Sequence, residues 1–172
     1  MGWSGGAGYG RAVALSLSFS FTNPFHVGAV VPDLETAMEE VASGHGVTWA
    51  KVQERQQSLW TPTLGAVVTP LRFSYTCEGP LHLELLQGEA GTIWDNDVWN
   101  GLQHTGVWST DVAGETDTLV AAGWTLVGAQ KPPAEGYGSM SYVQAPSGFV
   151  LELVSSAALP RFERWWAGGE LA

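Results

Sequence analysis

A pattern that occurs twice constrains the fold of this chain more than any other feature of its sequence. Residues 25–34 read FHVGAVVPDL and residues 102–112 read LQHTGVWSTDV. In each segment a histidine is followed two residues later by glycine and seven residues later by aspartate. An internal repeat indicates two copies of one supersecondary unit, which bury their apolar faces against each other.

Both copies continue with the same predicted elements. In the first copy Asp33 stands at a helix N-cap, and an apolar face follows at helical spacing: Leu34, Ala37, Met38 and Val41. Strand-like VTWAKVQE, LRFSYTCE and LHLELLQ come next, with TPTLGAVVTP and EGP as breaks. The second copy has a predicted helix over about residues 111–122, then strand-like WTLVGAQ, SMSYVQA and FVLELV. The sequence therefore predicts two β-α-β-β-β units.

Each copy also closes on a strand that carries a glutamate between leucines. These strands are LHLELL around Glu84 and GFVLELV around Glu152. The glutamate follows the histidine by 58 residues in the first copy and by 48 in the second. Because insertions are best tolerated in loops, the ten extra residues are expected in the Pro- and Gly-containing connection near residues 60–70.

Composition excludes several classes of partner. The chain has 172 residues and a net charge of −10, which would repel nucleic acids and anionic membranes. One cysteine cannot form an internal disulfide, so a reducing, cytoplasmic location is expected. The Gly-rich start has serines within its apolar run, unlike a secretory signal, and no stretch reaches the ~18 apolar residues of a membrane span.

Two histidines and two glutamates at equivalent places predict a metal site. Taken singly, each glutamate fits a solvated sheet face and each histidine an ordinary polar residue. A carboxylate between apolar residues is expensive to bury, however, unless it is paired, protonated or metal-bound. Imidazole and carboxylate together suit a divalent ion such as Zn, Ni, Co, Mn or Fe. The candidate ligands are His26, Glu84, His104 and Glu152.

The segments HVGAVVPDLETAM, LHLELLQ, GLQHTGVWSTDV and APSGFVLELV, in this order, resemble the vicinal oxygen chelate superfamily. This superfamily contains glyoxalases, bleomycin-resistance proteins, extradiol dioxygenases and methylmalonyl-CoA epimerases. The resemblance implies an α+β fold in which two tandem βαβββ modules form a barrel-like cavity. It places the same four residues at the metal. It also implies a domain organisation, whose parts are an N-terminal tail or added strand (1–23), a first module (24–88), a linker (89–101), a second module (102–156) and a C-terminal helix or tail (157–172).

Two features locate the chain within this superfamily. Glu84 stands where glyoxalase I also has a glutamate, whereas the linker GTIWDNDVWNGLQHTGVW is similar to the epimerase-like branch. The arginine typical of glutathione recognition is missing after Val30, which argues against a glutathione adduct as substrate. At the C-terminus, Phe162, Trp165 and Trp166 have helical spacing, which predicts a short helix docked on the barrel or on a second subunit.

The resemblance implies a metal-dependent isomerase, epimerase or lyase. Such an enzyme transfers a proton through a metal-stabilised enolate on a substrate with vicinal oxygens, with Glu152 and Glu84 as candidate bases. Core packing explains most of the nine tryptophans, and if even two of them face the cavity, the substrate has an apolar or aromatic portion. The predicted substrate contacts are Trp108, Trp49, Tyr142 and His82. A small-molecule substrate and a homodimer are the expected partners.

Two other function classes remain open from the sequence. An Fe(II)-dependent dioxygenase is one, although Glu84 would occupy a position that oxygen could use. A metal-free protein that sequesters a hydrophobic small molecule is the other. A pure binding protein has no reason to keep carboxylates in its cavity, so four intact ligand-type residues argue against it.

Overall fold

A computed structural model describes residues 23–96 and 103–171, which form eight β-strands and three α-helices. The first half contributes β1 (Pro24–Val30), α1 (Leu34–His45), β2 (Gln53–Thr61), β3 (Gly65–Tyr75) and β4 (His82–Gly88). The second half contributes β5 (Gln103–Ser109), α2 (Val112–Ala121), β6 (Thr125–Ala129), β7 (Met140–Gln144) and β8 (Val150–Ser155), before α3 (Leu159–Trp166). Residues 1–22 of the predicted tail, residues 97–101 of the predicted linker, and residues 102 and 172 lie outside the described residues.

The eight described strands close into one barrel in the order β1-β4-β3-β2-β6-β7-β8-β5. Within each half the first strand pairs in parallel with the last, β1 with β4 and β5 with β8. The two halves meet at two places, where β1 pairs antiparallel with β5 and where β2 pairs antiparallel with β6. The predicted α+β fold of two β-α-β-β-β units is thereby confirmed, and both halves of the barrel come from one chain.

The repeated aspartate begins a helix in both halves. The carboxylate of Asp33 accepts a hydrogen bond of 2.8 Å from the backbone N–H of Thr36. The carboxylate of Asp111 accepts one of 3.0 Å from the N–H of Gly114. Each aspartate satisfies an N–H at its helix N-terminus that has no partner within the helix, as an N-cap does. The predicted helix starts are therefore confirmed.

The prediction for the second strand was wrong in its position. VTWAKVQE was expected to be a strand, but β2 begins only at Gln53, and Trp49 forms an isolated bridge with Thr76. TPTLGAVVTP was expected to be a break, yet β2 and β3 pair along it up to Thr61 and Gly65. The polar run QERQQ looks like a loop because three of its five side chains, those of Glu54, Arg55 and Gln56, are exposed. Pairing with β3 outweighs the weak local strand signal.

The sequence predicted that the ten extra residues of the first half form one insertion near residues 60–70, and this prediction was wrong. Helix α1 has 12 residues and α2 has 10. The connection from α1 to β2 and the β2–β3 hairpin are also longer than their counterparts in the second half. The additional length is distributed because each element can lengthen at the barrel ends without shifting the histidine and glutamate positions.

Two apolar clusters support the barrel. One lies between α2 and the outer face of the second half, where Val112 and Leu119 pack with Val143, Leu151 and Leu153. The other fills the barrel interior and continues into α3 through Phe162 and Trp165, both of which are buried. The predicted C-terminal helix is therefore present and docks on the barrel of its own chain. None of the described helices is both long and apolar enough to cross a membrane.

Candidate metal centre

Four buried side chains converge from four neighbouring strands of the barrel. They are His26 on β1, Glu84 on β4, His104 on β5 and Glu152 on β8. The Nε2 atoms of the two histidines are 3.0 Å apart. Glu84 Oε2 lies 3.3 Å from Nε2 of His26 and 3.1 Å from Nε2 of His104. Glu152 Oε2 lies 3.0 and 3.5 Å from the same two nitrogens.

The glycine of the repeat makes room for these histidine rings. In the β1–β5 register His26 lies opposite Gly106, and Gly28 lies opposite His104. A Cβ atom on Gly28 would lie 1.9 Å from Cε1 of His104, and one on Gly106 would lie 1.8 Å from Cε1 of His26. Each ring therefore occupies the space left by the glycine of the other half. The repeated His-x-Gly pattern is a steric requirement of the site.

The two halves also place equivalent tyrosines beside the histidines and glutamates, so the site has a two-fold arrangement. Tyr75 on β3 pairs with Glu84, and Tyr142 on β7 pairs with Glu152. The ring centroid of Tyr75 is 5.2 Å from that of His26, and Tyr142 has the same distance to His104. Sequence reasoning selected Tyr142 but missed Tyr75. The sequence did contain a signal for Tyr75, since FSY at residues 73–75 corresponds to MSY at residues 140–142 in the second copy of the repeat.

The charges within the cluster offset one another. Burial alone would lower the pKa of both histidines, but the neighbouring carboxylates Glu84 and Glu152 outweigh it. The pKa of His26 is raised, and that of His104 is raised to about 9. Burial would raise the pKa of each glutamate, but the histidines hold both pKa values below the usual value. The two carboxylates thus stay negative and require positive charge between them.

The cluster fits a divalent metal ion. One donor atom from each of the four residues lies within 4.8 Å of all the others. Two donors that are each ~2.1 Å from one ion and at right angles lie ~3.0 Å apart, close to the separations found here. The Oε2 atom of Glu152 is buried, and its printed contacts among the described residues are with the Nε2 atoms of His26 and His104, the other potential ligands. Two imidazoles and two carboxylates suit a divalent transition metal.

A cavity of about 280 Å³ adjoins this cluster. Among the described residues that line it are Glu84 and Glu152, but neither histidine. Much of the wall is apolar or aromatic, with Leu71, Phe73, Tyr75, Leu86, Trp94, Met140, Tyr142, Val154, Ala158 and Phe162. A small molecule in this cavity would contact the two carboxylates at one end and aromatic rings along its sides.

Of the four predicted substrate contacts, only Tyr142 lines the cavity. Trp108 stacks on Phe25, with ring centroids 3.8 Å apart, and packs in the core. The indole N–H of Trp49 donates to the backbone oxygen of Met38 in α1. Neither tryptophan lines the cavity, although Trp108 also packs edge-to-face on Phe162 of the cavity wall. Their contact with a substrate stays a prediction.

His82 is the fourth predicted contact and also lies away from the cavity lining. It shares the face of Glu84 on β4, as the alternation of side chains along a strand predicts. However, its ring stacks on Trp166 at 3.8 Å, and its Nδ1 atom lies 2.7 Å from the backbone oxygen of Thr76. Position on the same face does not bring His82 to the cavity, because α3 covers this end of the strand.

Solved structures share this fold at low sequence identity. A hypothetical protein from Bacillus halodurans has a TM-score of 0.55 and 11% identity, over 77% of this chain and 93% of its own. Methylmalonyl-CoA epimerase from Mycobacterium tuberculosis has a TM-score of 0.52 and 16% identity, over 78% and 87%. A Streptomyces coelicolor methylmalonyl-CoA epimerase variant, in complex with 2-nitronate-propionyl-CoA, has a TM-score of 0.54 and 18% identity, over 80% and 96%.

Comparison of the sequence with curated proteins and with family models identifies the superfamily. No curated protein matches this chain. A family model described as "Glyoxalase/Bleomycin resistance protein/Dioxygenase superfamily" matches residues 25–143, which contain three of the four clustered ligand candidates and most of both β-α-β-β-β units. This chain belongs to the glyoxalase/bleomycin resistance protein/dioxygenase superfamily.

Proposed function

We propose that this chain is a divalent-metal-dependent isomerase, epimerase or lyase that moves a proton on a substrate with vicinal oxygens. The observation that carries the proposal is the position of Glu84 and Glu152. Both are buried, both belong to the cluster of potential metal ligands, and both line the cavity. A substrate in the cavity would therefore meet carboxylates that are able to accept a proton.

His26, His104, Glu84 and Glu152 would hold the ion. When bound, it would supply Lewis-acid stabilisation of the negative charge that develops on a substrate oxygen as a proton leaves the neighbouring carbon. The proton itself is moved by the protein. A carboxylate within hydrogen-bond reach of the carbon accepts it, and the same or the other carboxylate returns it.

The two-fold arrangement suits transfer on both sides of one carbon atom. Glu84 lies on β4 beside β1, and Glu152 lies on β8 beside β5, so the carboxylates approach the histidine pair from opposite sides. One carboxylate can accept the proton from one face of the carbon. Inversion then requires a proton on the opposite face, which the other carboxylate can deliver once it has itself taken up a proton. The methylmalonyl-CoA epimerases with the same barrel support this choice within the superfamily.

The cavity wall assists by holding protons and excluding water. Burial, and then the negative charges of the two glutamates, raise the pKa of Tyr75 well above its usual value. Burial and the same charges also raise that of Tyr142. Both phenols therefore keep their protons beside the carboxylates and remain hydrogen-bond donors. Buried Phe73, Trp94 and Phe162 keep bulk water from the reacting groups, which strengthens electrostatic interactions there.

Metal content tests the first part of the proposal. Protein purified without chelator or added metal is expected to contain about one equivalent of a transition metal by elemental analysis. The His104→Ala variant is expected to lose it, because a buried ligand is removed. His45→Ala is the matched control, since His45 is exposed at the end of α1, and it should retain the metal. Wild-type protein without metal would contradict the proposal and favour a metal-free binding protein.

Hydrogen exchange tests the second part. Metal-loaded protein is incubated without oxygen in deuterated water with a panel of 2-hydroxy and 2-oxo acids, and mass spectrometry follows deuterium at the neighbouring carbon. Exchange is expected for the wild type and not for His104→Ala. Consumption of a substrate that requires iron and oxygen, with no anaerobic exchange, would instead support a dioxygenase. The homodimer expected from the sequence stays a prediction.

A further inference from the structure

Positive charge is scarce in this chain, and at least three of its Lys and Arg residues are already in ion pairs. The sequence has seven Lys and Arg residues against 17 Asp and Glu. Within the described residues, the ion pairs of these cations join Lys51 to Glu170, Arg72 to Glu35 and Glu54, and Lys131 to Glu135. Arg55 and Arg161 form no ion pair with any described acidic residue. Two unpaired guanidinium groups in so acidic a protein call for an explanation.

Both of these arginines line the same cavity. Arg55 comes from β2 and Arg161 from α3, elements that are distant in sequence. Both residues are exposed, whereas Glu84 and Glu152 of the same cavity are buried. The cavity thus runs from a buried pair of carboxylates to a solvent-facing pair of guanidinium groups. We call Arg55 and Arg161 the arginine pair.

Aromatic residues of the cavity wall support both side chains. The guanidinium carbon of Arg55 lies 4.8 Å from the centre of the Phe73 ring, and that of Arg161 lies 5.9 Å from the Phe162 ring. Cation–π contacts of this kind restrain the guanidinium groups without using their hydrogen-bond donors. The N–H groups remain available for a ligand.

The two charges also act on each other. The pKa of Arg55 is lowered, first by the protein atoms that displace water around it and then by the positive charge of Arg161. An anion bound between two like charges relieves their repulsion, and arginine's planar N–H groups match the geometry of a carboxylate or phosphate. The arrangement therefore favours an acidic ligand over a neutral one.

We propose that the arginine pair is an anion-binding subsite for an acidic group on the substrate, at the end remote from its vicinal oxygens. This inference rests on the function proposed above and narrows its substrate class. The substrate is a small acid, or the acidic end of a larger molecule, whose apolar middle part contacts Phe73, Trp94 and Phe162. Its vicinal oxygens reach the carboxylate end of the cavity. The shared chemistry is an oxyanion, either carboxylate or phosphate.

Chelating probes test this subsite without knowledge of the natural substrate. A hydroxamate presents two neighbouring oxygens, so acetohydroxamate probes the metal end alone. Monohydroxamates of dicarboxylic acids of increasing chain length add a remote carboxylate, and phosphonate-ended hydroxamates of the same lengths add a phosphate-like group. Alkyl hydroxamates of matching length separate the contribution of the acid from that of the chain. Affinities are measured by isothermal titration calorimetry on metal-loaded protein.

At the chain length that spans the cavity, the remote acid is expected to tighten binding by about 10- to 100-fold over the matching alkyl hydroxamate. The Arg55→Gln/Arg161→Gln double variant should lose this gain while its metal content and its affinity for acetohydroxamate stay unchanged. Arg164→Gln is the matched control: Arg164 is on the same helix but does not line the cavity, and this variant should keep the gain. The probe series, carboxylate-ended or phosphonate-ended, that shows the larger gain in affinity identifies the acidic group that the subsite binds.

Different negative results would contradict the arginine subsite and the proposed function. No gain at any chain length, or an equal gain in the double variant, would overturn the arginine subsite and leave the metal site standing. Failure of acetohydroxamate to bind metal-loaded wild-type protein would overturn the proposed function, and the subsite that rests on it would fall as well.

Discussion

Gly28→Ala and Gly106→Ala are each expected to disrupt the ligand cluster and to abolish metal binding. Neither glycine has a positive φ, so alanine would not strain the backbone, and the effect is purely steric. The new methyl group would overlap the histidine ring of the opposite half, at 1.9 Å in one case and 1.8 Å in the other. His26 and His104 are buried and cannot move into solvent. We expect a loss of about 1–3 kcal/mol in the free energy of unfolding.

Gly44→Ala is the matched control for these variants. A Cβ atom there has nothing within 4 Å, and the residue lies within α1, where alanine is favoured over glycine. This variant should keep its metal and gain roughly 0.5–1 kcal/mol of stability. Elemental analysis and denaturant unfolding would measure both quantities. Normal metal content in Gly28→Ala and Gly106→Ala would show that the histidine rings do not depend on the glycines.

Trp165→Ala is expected to cause the largest loss of stability, about 3–5 kcal/mol. Trp165 is fully buried and packs edge-to-face on Phe73, Tyr75 and Phe162, with ring centroids 5.5–5.9 Å apart. Its indole N–H also donates a hydrogen bond of 2.9 Å to the backbone oxygen of Lys51. Removal of the side chain would leave a large void between α3 and the barrel.

Two further variants make this prediction specific. Trp124→Ala should have a smaller effect, because Trp124 is only half-buried and packs beside α2 rather than inside the barrel. Trp165→Phe should fall between wild type and Trp165→Ala, since it keeps an aromatic ring but loses the N–H. Urea unfolding followed by fluorescence and circular dichroism would compare them. Equal stability losses for Trp165→Ala and Trp124→Ala would contradict the assigned role of Trp165 as the anchor of α3.

Helix α3 links stability to the site. It places Phe162 and Arg161 on the cavity wall while Trp165 fixes it to the barrel. Helix α3 follows the second β-α-β-β-β unit, whereas the described residues that follow β4, 89–96, give the cavity wall Trp94. The two halves therefore supply a symmetric ligand cluster, whereas the single helix makes the cavity asymmetric. We expect substrate selection to reside mainly in this asymmetric part.

The ligand cluster was predictable because the sequence pattern that contains its residues occurs twice in the chain. His26 and His104 share their neighbours, and Glu84 and Glu152 share their place at the end of a unit. Asp33 and Asp111 begin helices through contacts with residues only three positions away. Local hydrogen bonds and a repeated pattern act within a short stretch of chain, so the sequence can report them.

Contacts between distant segments were not predictable in the same way. Strand β2 is stabilised by its pairing with β3, so its polar sequence misled the strand assignment. The roles of Trp108 and His82 depended on which ring each would stack against, Phe25 and Trp166 respectively. Side-chain alternation along one strand gives the face of a residue, but not what covers that face.

The sequence by itself determined that the chain is a duplicated unit with one histidine and one glutamate ligand candidate in each copy. Periodicity, capping and repetition are local properties, and they sufficed for this. Only the tertiary structure brought Gly28 under His104 and Gly106 under His26, and only it placed Arg55 and Arg161 at one cavity. Register between strands and the docking of α3 are decided by packing of residues far apart in the chain, and no short stretch of sequence carries that information.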